Sequence, residues 1–101
     1  MVKFVALYRR PPDVAAFEKR YTQDHLPLVR QFPDLQRLEV SRITWPREDA
    51  PYYLMAELWY ADRDTMRASL RSEISQRAAA VLQEIVPPEY VTMLHAEVSS
   101  E

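Results

Sequence analysis

The order of the predicted elements is strand, helix, strand, strand, helix, strand. This order predicts an α+β fold of the ferredoxin-like type, with two helices on one face of a four-stranded antiparallel sheet. Four short segments are rich in β-branched and aromatic residues, and two others carry apolar residues at helical spacing. Clusters of proline and aspartate separate these segments. Because the chain has 101 residues, we expect one domain spanning residues 1–101.

The first half of the chain predicts a strand followed by a helix. Residues 2–8 form the strand, and apolar residues on both of its faces indicate that both are covered. Asp13 is the expected N-cap of the helix. The apolar stripe of the helix recurs every three or four residues and comprises Val14, Phe17, Tyr21, His25, Leu28 and Phe32. Pro27 lacks an N–H and leaves the Gln23 carbonyl unbonded, so we expect the helix to end or kink near His25.

The second half predicts three more strands and an interrupted helix. The strands are expected at residues 35–45, 52–60 and 90–98. Asp62 is the expected N-cap of the helix, Ser72 is expected to restart it, and Pro87 follows its end.

The sheet face that lies away from the helices carries enough apolar side chains to require cover. Alternation places Tyr53, Met55, Glu57 and Trp59 on this face, and we assign Met93 of the last strand to it. A second copy of the chain, packed sheet to sheet, would bury this face inside a barrel. We therefore expect a homodimer through the sheet faces, with a small-molecule cavity between the two sheets.

Composition excludes several classes of function. The chain has no cysteine, which excludes disulfides, thiolate nucleophiles and zinc–thiolate sites, and no glycine, which excludes glycine-rich phosphate loops. The net charge is −2 and the basic residues are scattered, so we expect no nucleic-acid partner. No apolar run approaches the ~20 residues of a membrane span, and the N-terminal run reads as a strand and not as a signal peptide. We expect a cytoplasmic protein.

Several stretches of the chain resemble the EthD-domain family of the dimeric α/β-barrel superfamily. They are VKFVALYRRP, YTQDHLPLVRQFPDLQRLEVSR, PYYLMAELWY and TMLHAEV, and together they cover nearly the whole chain. The most specific element is H-x-P-L, here His25, Pro27 and Leu28, with Tyr21 four residues before the histidine. The resemblance implies a small homodimer with a pocket in each barrel. It also implies varied, usually metal-free chemistry on small molecules, such as lactone isomerisation, polyketide cyclisation, decarboxylation or cofactor-free oxygenation of phenols. Some branches bind haem.

His25 is the first candidate for chemistry. An imidazole titrates near neutrality, so it can take up and return a proton during an enolisation or a lactone opening. The structural alternative is a ring nitrogen that binds the carbonyl freed by Pro27 and so fixes the kink. The residues alone favour the structural role. The resemblance, in which this histidine belongs to the family motif, adds weight to the catalytic role.

Glu57 and Glu39 are the candidate carboxylates, because alternation places both on the face assigned to the barrel interior. A carboxylate there can orient His25 through a ring N–H or act as a base with a raised pKa. The alternative is an ion pair with Arg37 or Arg42. Glu57 is central in its strand, so we predict it as the orienter of His25 and Glu39 as a ligand-binding residue.

An aromatic set and a second histidine complete the candidate site. The set is Tyr8, Tyr21, Tyr53, Trp45 and Trp59. Of these, Tyr21, Tyr53 and Trp59 are predicted to form a flat wall for a planar or cyclic ligand, with core and dimer packing as the alternative. His95 is a candidate ligand-binding residue if its strand face is interior, and a surface or dimer contact otherwise.

We predict neither a metal nor another cofactor. The two histidines show no H-x-x-x-H or similar spacing. Nothing in the sequence selects His25 or His95 as an axial haem ligand.

Two functions stay open from the sequence. The first is a cofactor-free enzyme that acts on a small cyclic or aromatic metabolite, with His25 as proton shuttle and Glu57 as its orienter. The second is a non-catalytic ligand-binding or accessory protein in a catabolic or biosynthetic pathway. A closed, dry cavity would favour a third, purely structural role.

Overall fold

The structure is a computed structural model that describes residues 1–46 and 50–99. Its four strands are β1 (Val2–Tyr8), β2 (Arg37–Arg42), β3 (Leu54–Tyr60) and β4 (Val91–Glu97). They form one antiparallel sheet in the order β2-β3-β1-β4. The helices are α1 (Val14–Arg20), α2 (Leu26–Val29), α3 (Arg63–Leu70) and α4 (Glu73–Ile85). A π-helical turn (Tyr21–His25) joins α1 to α2, and a 3-10 turn (Pro88–Tyr90) precedes β4. The predicted α+β, ferredoxin-like fold class is confirmed.

The connection between β2 and β3 is longer than predicted. We expected strands at residues 35–45 and 52–60, whereas regular pairing ends at Arg42 and resumes at Leu54. Pro46 and Pro51 lie in this connection, and proline cannot donate a hydrogen bond to a strand ladder. Residues 47–49 of the same connection lie outside the described residues.

Side-chain caps begin three helices at the predicted positions. Asp13, Asp62 and Ser72 each accept a hydrogen bond from the backbone N–H three residues later, at 3.0, 2.8 and 3.3 Å. Pro33 and Asp34 form a turn between α2 and β2. Asp34 adopts a φ of 61°, a left-handed conformation that aspartate tolerates better than most residues.

The predicted interruption near His25 takes the form of a π-helical turn and not a break. The Leu26 N–H bonds to the Tyr21 carbonyl five residues earlier, and the Arg30 N–H then bonds to the Leu26 carbonyl at 3.0 Å in the α pattern. Pro27 lies in the first turn of α2, where its missing N–H is tolerated. Such turns occur frequently at functional sites, and this one contains both Tyr21 and His25.

The two faces of the sheet have different surroundings. The helix-facing side packs against the helices and contributes Val2, Phe4, Ala6, Tyr8, Leu54, Ala56, Leu58 and Tyr60 to the core. The other side, which we call the open face, has none of the described helices over it and carries Lys3, Val5, Leu7, Glu39, Met55, Glu57, Trp59 and Leu94. None of the helices in the described ranges has the length and apolar character needed to cross a bilayer.

Met93 and His95 lie on the helix-facing side, so the assignment of Met93 to the open face was wrong. Met93 pairs with Ala6, and His95 pairs with Phe4. Directly paired residues project to the same face of a sheet. Alternation in β4 shows which residues share a face, but β4 has apolar residues on both faces and does not show which face meets the helices.

Candidate functional site

A cavity of about 250 Å³ lies within the protomer, between the helix-facing side of the sheet and the helices. We expected a cavity on the open face, where two sheets would meet. The observed cavity arises on the other side because Ala6, Ala56, Ala78 and Ala79 line it, and their small side chains leave space that larger residues would fill.

The wall of the cavity is largely apolar. Its apolar members are Phe4, Ala6, Leu26, Val29, Phe32, Leu38, Ala56, Leu58, Leu70, Ala78, Ala79, Leu82 and Met93. The polar side chains are Tyr8, Tyr21, His25 and Ser75. Among the described residues no carboxylate, lysine or arginine lines it, so an ionic ligand would lose its hydration without gaining a counter-charge. Met93, whose exposed fraction is 56%, gives the wall a solvent-facing edge.

His25 is held by a hydrogen bond to the main chain of α4. Its Nδ1 lies 3.0 Å from the Ala78 carbonyl oxygen. A carbonyl can only accept, so Nδ1 carries the hydrogen and donates it. The structural alternative for His25 assumed the carbonyl freed by Pro27 as its partner. That partner was wrong, because the ring reaches across to the neighbouring helix instead.

The second ring nitrogen of His25, Nε2, is free to act on a ligand. It makes no hydrogen bond within residues 1–46 and 50–99, and no fully buried side-chain nitrogen or oxygen in these ranges lacks a partner. Nε2 therefore keeps some accessible surface, although the residue as a whole is only 6% exposed. His25 lines the cavity, and a neutral imidazole with its hydrogen on Nδ1 carries a lone pair on Nε2.

Burial favours the neutral form of this imidazole. Desolvation lowers the pKa of His25 below its ordinary value of 6.5, and the hydrogen bond to the Ala78 carbonyl opposes part of that shift. At neutral pH the ring is therefore unprotonated at Nε2. It can accept a proton there without first losing one.

Tyr21 and Tyr8 lie beside His25 and line the same cavity. The Tyr21 ring stacks on the imidazole with a centroid distance of 5.0 Å and an interplanar angle of 29°. Its hydroxyl donates to the Tyr8 hydroxyl at 3.2 Å. Burial raises the pKa of Tyr8 to about 12, although the hydrogen bond from Tyr21 lowers it in part. Burial also raises the pKa of Tyr21 well above its ordinary value, so both phenols stay protonated at neutral pH.

Glu57 lies on the open face, away from the cavity wall. Its carboxylate is 2.6 Å from the Lys3 ammonium, and the residue is 7% exposed. The orienting contact that we expected from Glu57 to His25 is made instead by the Ala78 carbonyl. The structure therefore does not bring the two predicted catalytic residues together.

Glu39 and Trp59 also lie on the open face. Glu39 forms an ion pair with Arg37, as the structural alternative predicted. The Trp59 ring lies between two cations, with Lys3 at 5.0 Å and Arg37 at 4.9 Å from its centroid. Neither residue lines the cavity.

Tyr53 does not follow the alternation of β3, because it precedes the first residue of that strand. It is 2% exposed and packs edge-on against Phe17 of α1, with centroids 6.4 Å apart. Its hydroxyl donates to the Glu18 carboxylate, which also accepts from Arg42 at 2.7 Å. Tyr53 thus joins α1 to the sheet and does not line the cavity.

His95 and Trp45 are exposed. His95 lies on the edge strand β4, and its ring contacts that of Phe4 edge to face with centroids 5.8 Å apart. It does not line the cavity. Trp45, with an exposed fraction of 79%, lies in the connection that follows β2. Of the seven predicted site residues, the cavity brings together only Tyr21 and His25.

Two partners complete these residues: Tyr8, which the sequence placed in the aromatic set but not among the predicted pocket residues, and the Ala78 carbonyl, which the sequence did not indicate. Tyr8 shares the helix-facing side of β1 with Phe4 and Ala6, and a buried tyrosine needs a partner for its hydroxyl. That signal was present in the sequence. The Ala78 carbonyl had no signal of its own, because every residue carries a carbonyl.

The described residues contain no group of three or more His, Asp or Glu side chains close enough to hold a metal ion. Within the cavity wall, His25 is the only such residue.

The profile of the EthD domain family matches residues 9–84, which include β2, β3 and the whole element from α1 to α2. The chain belongs to the EthD domain family. An ethyl tert-butyl ether (EthD) family protein from Bacillus halodurans C-125 has a crystal structure that superimposes with a TM-score of 0.91. It is 30% identical and covers 98% of this chain and 99% of its own. A relative from Rhodococcus erythropolis, described as an uncharacterized 11.0 kDa protein in the thcB-thcC intergenic region, is 30% identical over 81 residues, or 79% of each chain.

More distant crystal structures share the fold of this EthD domain. A dimeric ferredoxin-like protein of unknown function from Jannaschia sp. CCS1 gives a TM-score of 0.73 at 12% identity, covering 97% of this chain and 100% of its own. SnoaB from Streptomyces nogalater, a cofactor-independent oxygenase, gives a TM-score of 0.63 at 19% identity, covering 99% and 93%. At these identities the likeness concerns the fold alone.

Proposed function

We propose that this EthD domain binds a small, neutral, cyclic or aromatic metabolite in its cavity, and that His25 transfers a proton to and from that ligand without a cofactor. The observation that carries the proposal is the hydrogen bond from Nδ1 to the Ala78 carbonyl. It fixes the tautomer and leaves the basic Nε2 at an apolar cavity.

The size and polarity of the cavity support this choice of ligand. An apolar cavity of about 150 Å³ is enough for benzene. The cavity of about 250 Å³ therefore suits one or two rings. Its wall offers phenol and imidazole groups and no charged side chain, which favours a neutral molecule with few polar atoms. A cofactor-independent oxygenase with the same fold is an example of cofactor-free chemistry carried by this fold.

The test begins with native mass spectrometry of freshly purified protein, which reports a co-purified small molecule together with the assembly state. With the identified molecule as substrate, turnover should be constant above about pH 6.5 and fall in acid, because protonation of His25 removes its lone pair. His25→Asn should lower turnover by roughly 10²–10⁴-fold, the range typical of one general base. The asparagine amide can still donate to the Ala78 carbonyl, so the variant should fold. Full activity in His25→Asn would overturn the proposal.

A binding or accessory protein is the second candidate, and the same hydrogen bond favours it. The bond ties the π-helical turn to α4 and so has a structural value of its own. This candidate predicts tight binding of the co-purified molecule without turnover. It also predicts that His25→Ala changes the free energy of unfolding more than the affinity.

We also propose that two protomers pair through their open faces. Leu7, Met55 and Leu94 give this face apolar area that none of the described helices covers, and the exposed fraction of Leu94 is 41%. We propose a second copy of the chain as the partner that covers this face, because a protein with the same fold is described as dimeric.

Sedimentation velocity tests this pairing with two matched variants. Leu94→Arg places a charge on the open face and should dissociate the dimer. Val40→Arg, at a similarly exposed residue (37%) on the other side of the sheet, should leave it intact. An unchanged sedimentation coefficient for Leu94→Arg would reject the open face as the interface.

A further inference from the structure

The hydroxyl pair formed by Tyr8 and Tyr21 has one hydrogen that finds no acceptor among the described residues. Tyr21 donates to the Tyr8 oxygen at 3.2 Å, so the Tyr21 hydrogen is occupied. Tyr8 accepts that bond but donates to no group within residues 1–46 and 50–99. Tyr8 is 2% exposed and lines the cavity. A buried O–H donor without an acceptor is unfavourable, so its hydrogen is available for an acceptor inside the cavity.

The unused donor and the free base lie beside the same ring. The Tyr21 ring centroid is 5.2 Å from that of Tyr8 and 5.0 Å from that of His25. Tyr8 and His25 both line the cavity, so we expect a ligand there to meet a hydrogen-bond donor and a proton acceptor. This is the pair of groups that an enolisation requires, because one must hold the developing oxyanion while the other takes the proton.

We infer that Tyr8 donates a hydrogen bond to the carbonyl oxygen of the ligand, and that the ligand is an enolisable cyclic ketone or its phenolic tautomer. This inference rests on the proposed function, since it uses the same cavity and the same base. It assigns Tyr8 as a catalytic residue and Tyr21 as a positioning residue that orients the Tyr8 hydroxyl.

The reaction that follows is a proton shift that needs no other reactant. Nε2 of His25 takes a proton from the carbon next to the carbonyl. The C–H electron pair becomes the new C=C bond, and the carbonyl π pair moves onto the oxygen, which the Tyr8 hydroxyl holds. The protonated imidazole then returns its proton to the oxygen, to give an enol, or to a carbon, to give an isomer.

Tyr8 suits this role because it stays a donor throughout. Burial raises its pKa to about 12, so the phenol does not ionise at neutral pH. The bond that it accepts from Tyr21 polarises its own O–H and strengthens the bond that it donates.

The experiment uses the full chain and two commercial probes of matched shape. 2-Tetralone has two rings and an acidic carbon beside its carbonyl, and tetralin has the same rings without the carbonyl. Proton NMR in D2O follows exchange of the acidic C–H, and titration gives the affinity for each probe. Variants are His25→Asn, Tyr8→Phe and Tyr21→Phe, which keep much of the side-chain volume. Tyr60→Phe is the control, since it removes a buried tyrosine hydroxyl bonded to Ser69 at 2.9 Å, outside the cavity.

We expect the wild-type protein to accelerate exchange of 2-tetralone. Tyr8→Phe should lower the acceleration by roughly 10²-fold, as for loss of one oxyanion donor. Tyr21→Phe should lower it by about tenfold, as for one neutral hydrogen bond. Tyr60→Phe should leave it unchanged. Tetralin should bind equally to the wild type and to Tyr8→Phe, whereas 2-tetralone should bind more weakly to Tyr8→Phe.

The outcomes separate this inference from the proposed function. If Tyr8→Phe exchanges as fast as the wild type while His25→Asn does not, the role of Tyr8 is overturned and that of His25 stands. If His25→Asn exchanges as fast as the wild type, the base is wrongly assigned and both fail. If neither probe binds to the wild type, the cavity is not a site for neutral cyclic ligands and the proposed function fails.

Discussion

Replacement of His25 by alanine tests whether the imidazole stabilises the fold. The substitution removes the bond to the Ala78 carbonyl, worth about 0.5–1.5 kcal/mol. It also removes the stacking on Tyr21, worth a further 0.5–1.5 kcal/mol or so. The Ala78 carbonyl keeps its helical partner within α4, so no orphaned acceptor adds to the cost. The space left by the ring joins a cavity that already exists.

The sum is a loss of about 2 kcal/mol in the free energy of unfolding. With a denaturant slope of about 1–2 kcal/mol/M, the midpoint of urea unfolding should fall by about 1–2 M at unchanged slope. Tryptophan fluorescence follows the transition, at one protein concentration for all samples because assembly adds to apparent stability. His25→Asn, which keeps a donor for the Ala78 carbonyl, should lose less than His25→Ala.

The pH dependence supplies the refuting result. Burial lowers the pKa of folded His25 below 6.5, so the unfolded state binds the proton first as pH falls. The contribution of His25 is therefore complete above pH 6.5 and declines as pH falls through the lowered pKa. His25→Ala lacks this decline, so the difference between the two proteins should be smaller at about pH 5 than at about pH 7.5. A difference that is equal or larger in acid would contradict a buried, neutral His25.

Three further predictions follow from other residues. Ala56→Leu fills part of the cavity and should lower the affinity for tetralin at least tenfold without lowering the free energy of unfolding. The control Ala80→Leu, on the exposed side of α4, should change neither quantity. Retained tetralin affinity in Ala56→Leu would contradict the assigned cavity. Ser72→Ala removes the side-chain cap of α4 and should cost about 1 kcal/mol in urea unfolding, and a loss below about 0.3 kcal/mol would show that the cap contributes little. Because the pKa of Tyr8 is raised from 10.0 to about 12, the wild-type protein should lose stability as pH rises from 10 to 12, and Tyr8→Phe should lose less. Urea unfolding at alkaline pH measures both losses. Equal losses in the two proteins would contradict a buried Tyr8 phenol.

Local chemistry made much of the fold predictable. Asp13, Asp62 and Ser72 cap helices in the structure as the sequence indicated, because each cap depends on a hydrogen bond to an N–H only three residues away. The stripe that includes Tyr21 and His25 was predictable for a similar reason, since helical spacing brings its members to one side. Both residues reach the cavity.

The position of the cavity was not predictable from alternation. Alternation groups Glu57 with Trp59 and Met93 with His95, but it does not show which group faces the helices. The register of β4 against β1 decides that point, and the register depends on tertiary pairing. Tyr53 does not follow the alternation of β3, because it lies just before the first residue of that strand.

The bond between His25 and the Ala78 carbonyl has a consequence for how the protein tolerates mutation. If a carboxylate side chain oriented the imidazole, a single codon change could remove that carboxylate and with it the control over the imidazole tautomer. A main-chain carbonyl persists whatever residue occupies position 78, so no side-chain replacement there deletes the acceptor itself. Sequence drift in this domain can therefore reshape the wall around the imidazole while the tautomer of His25 stays fixed.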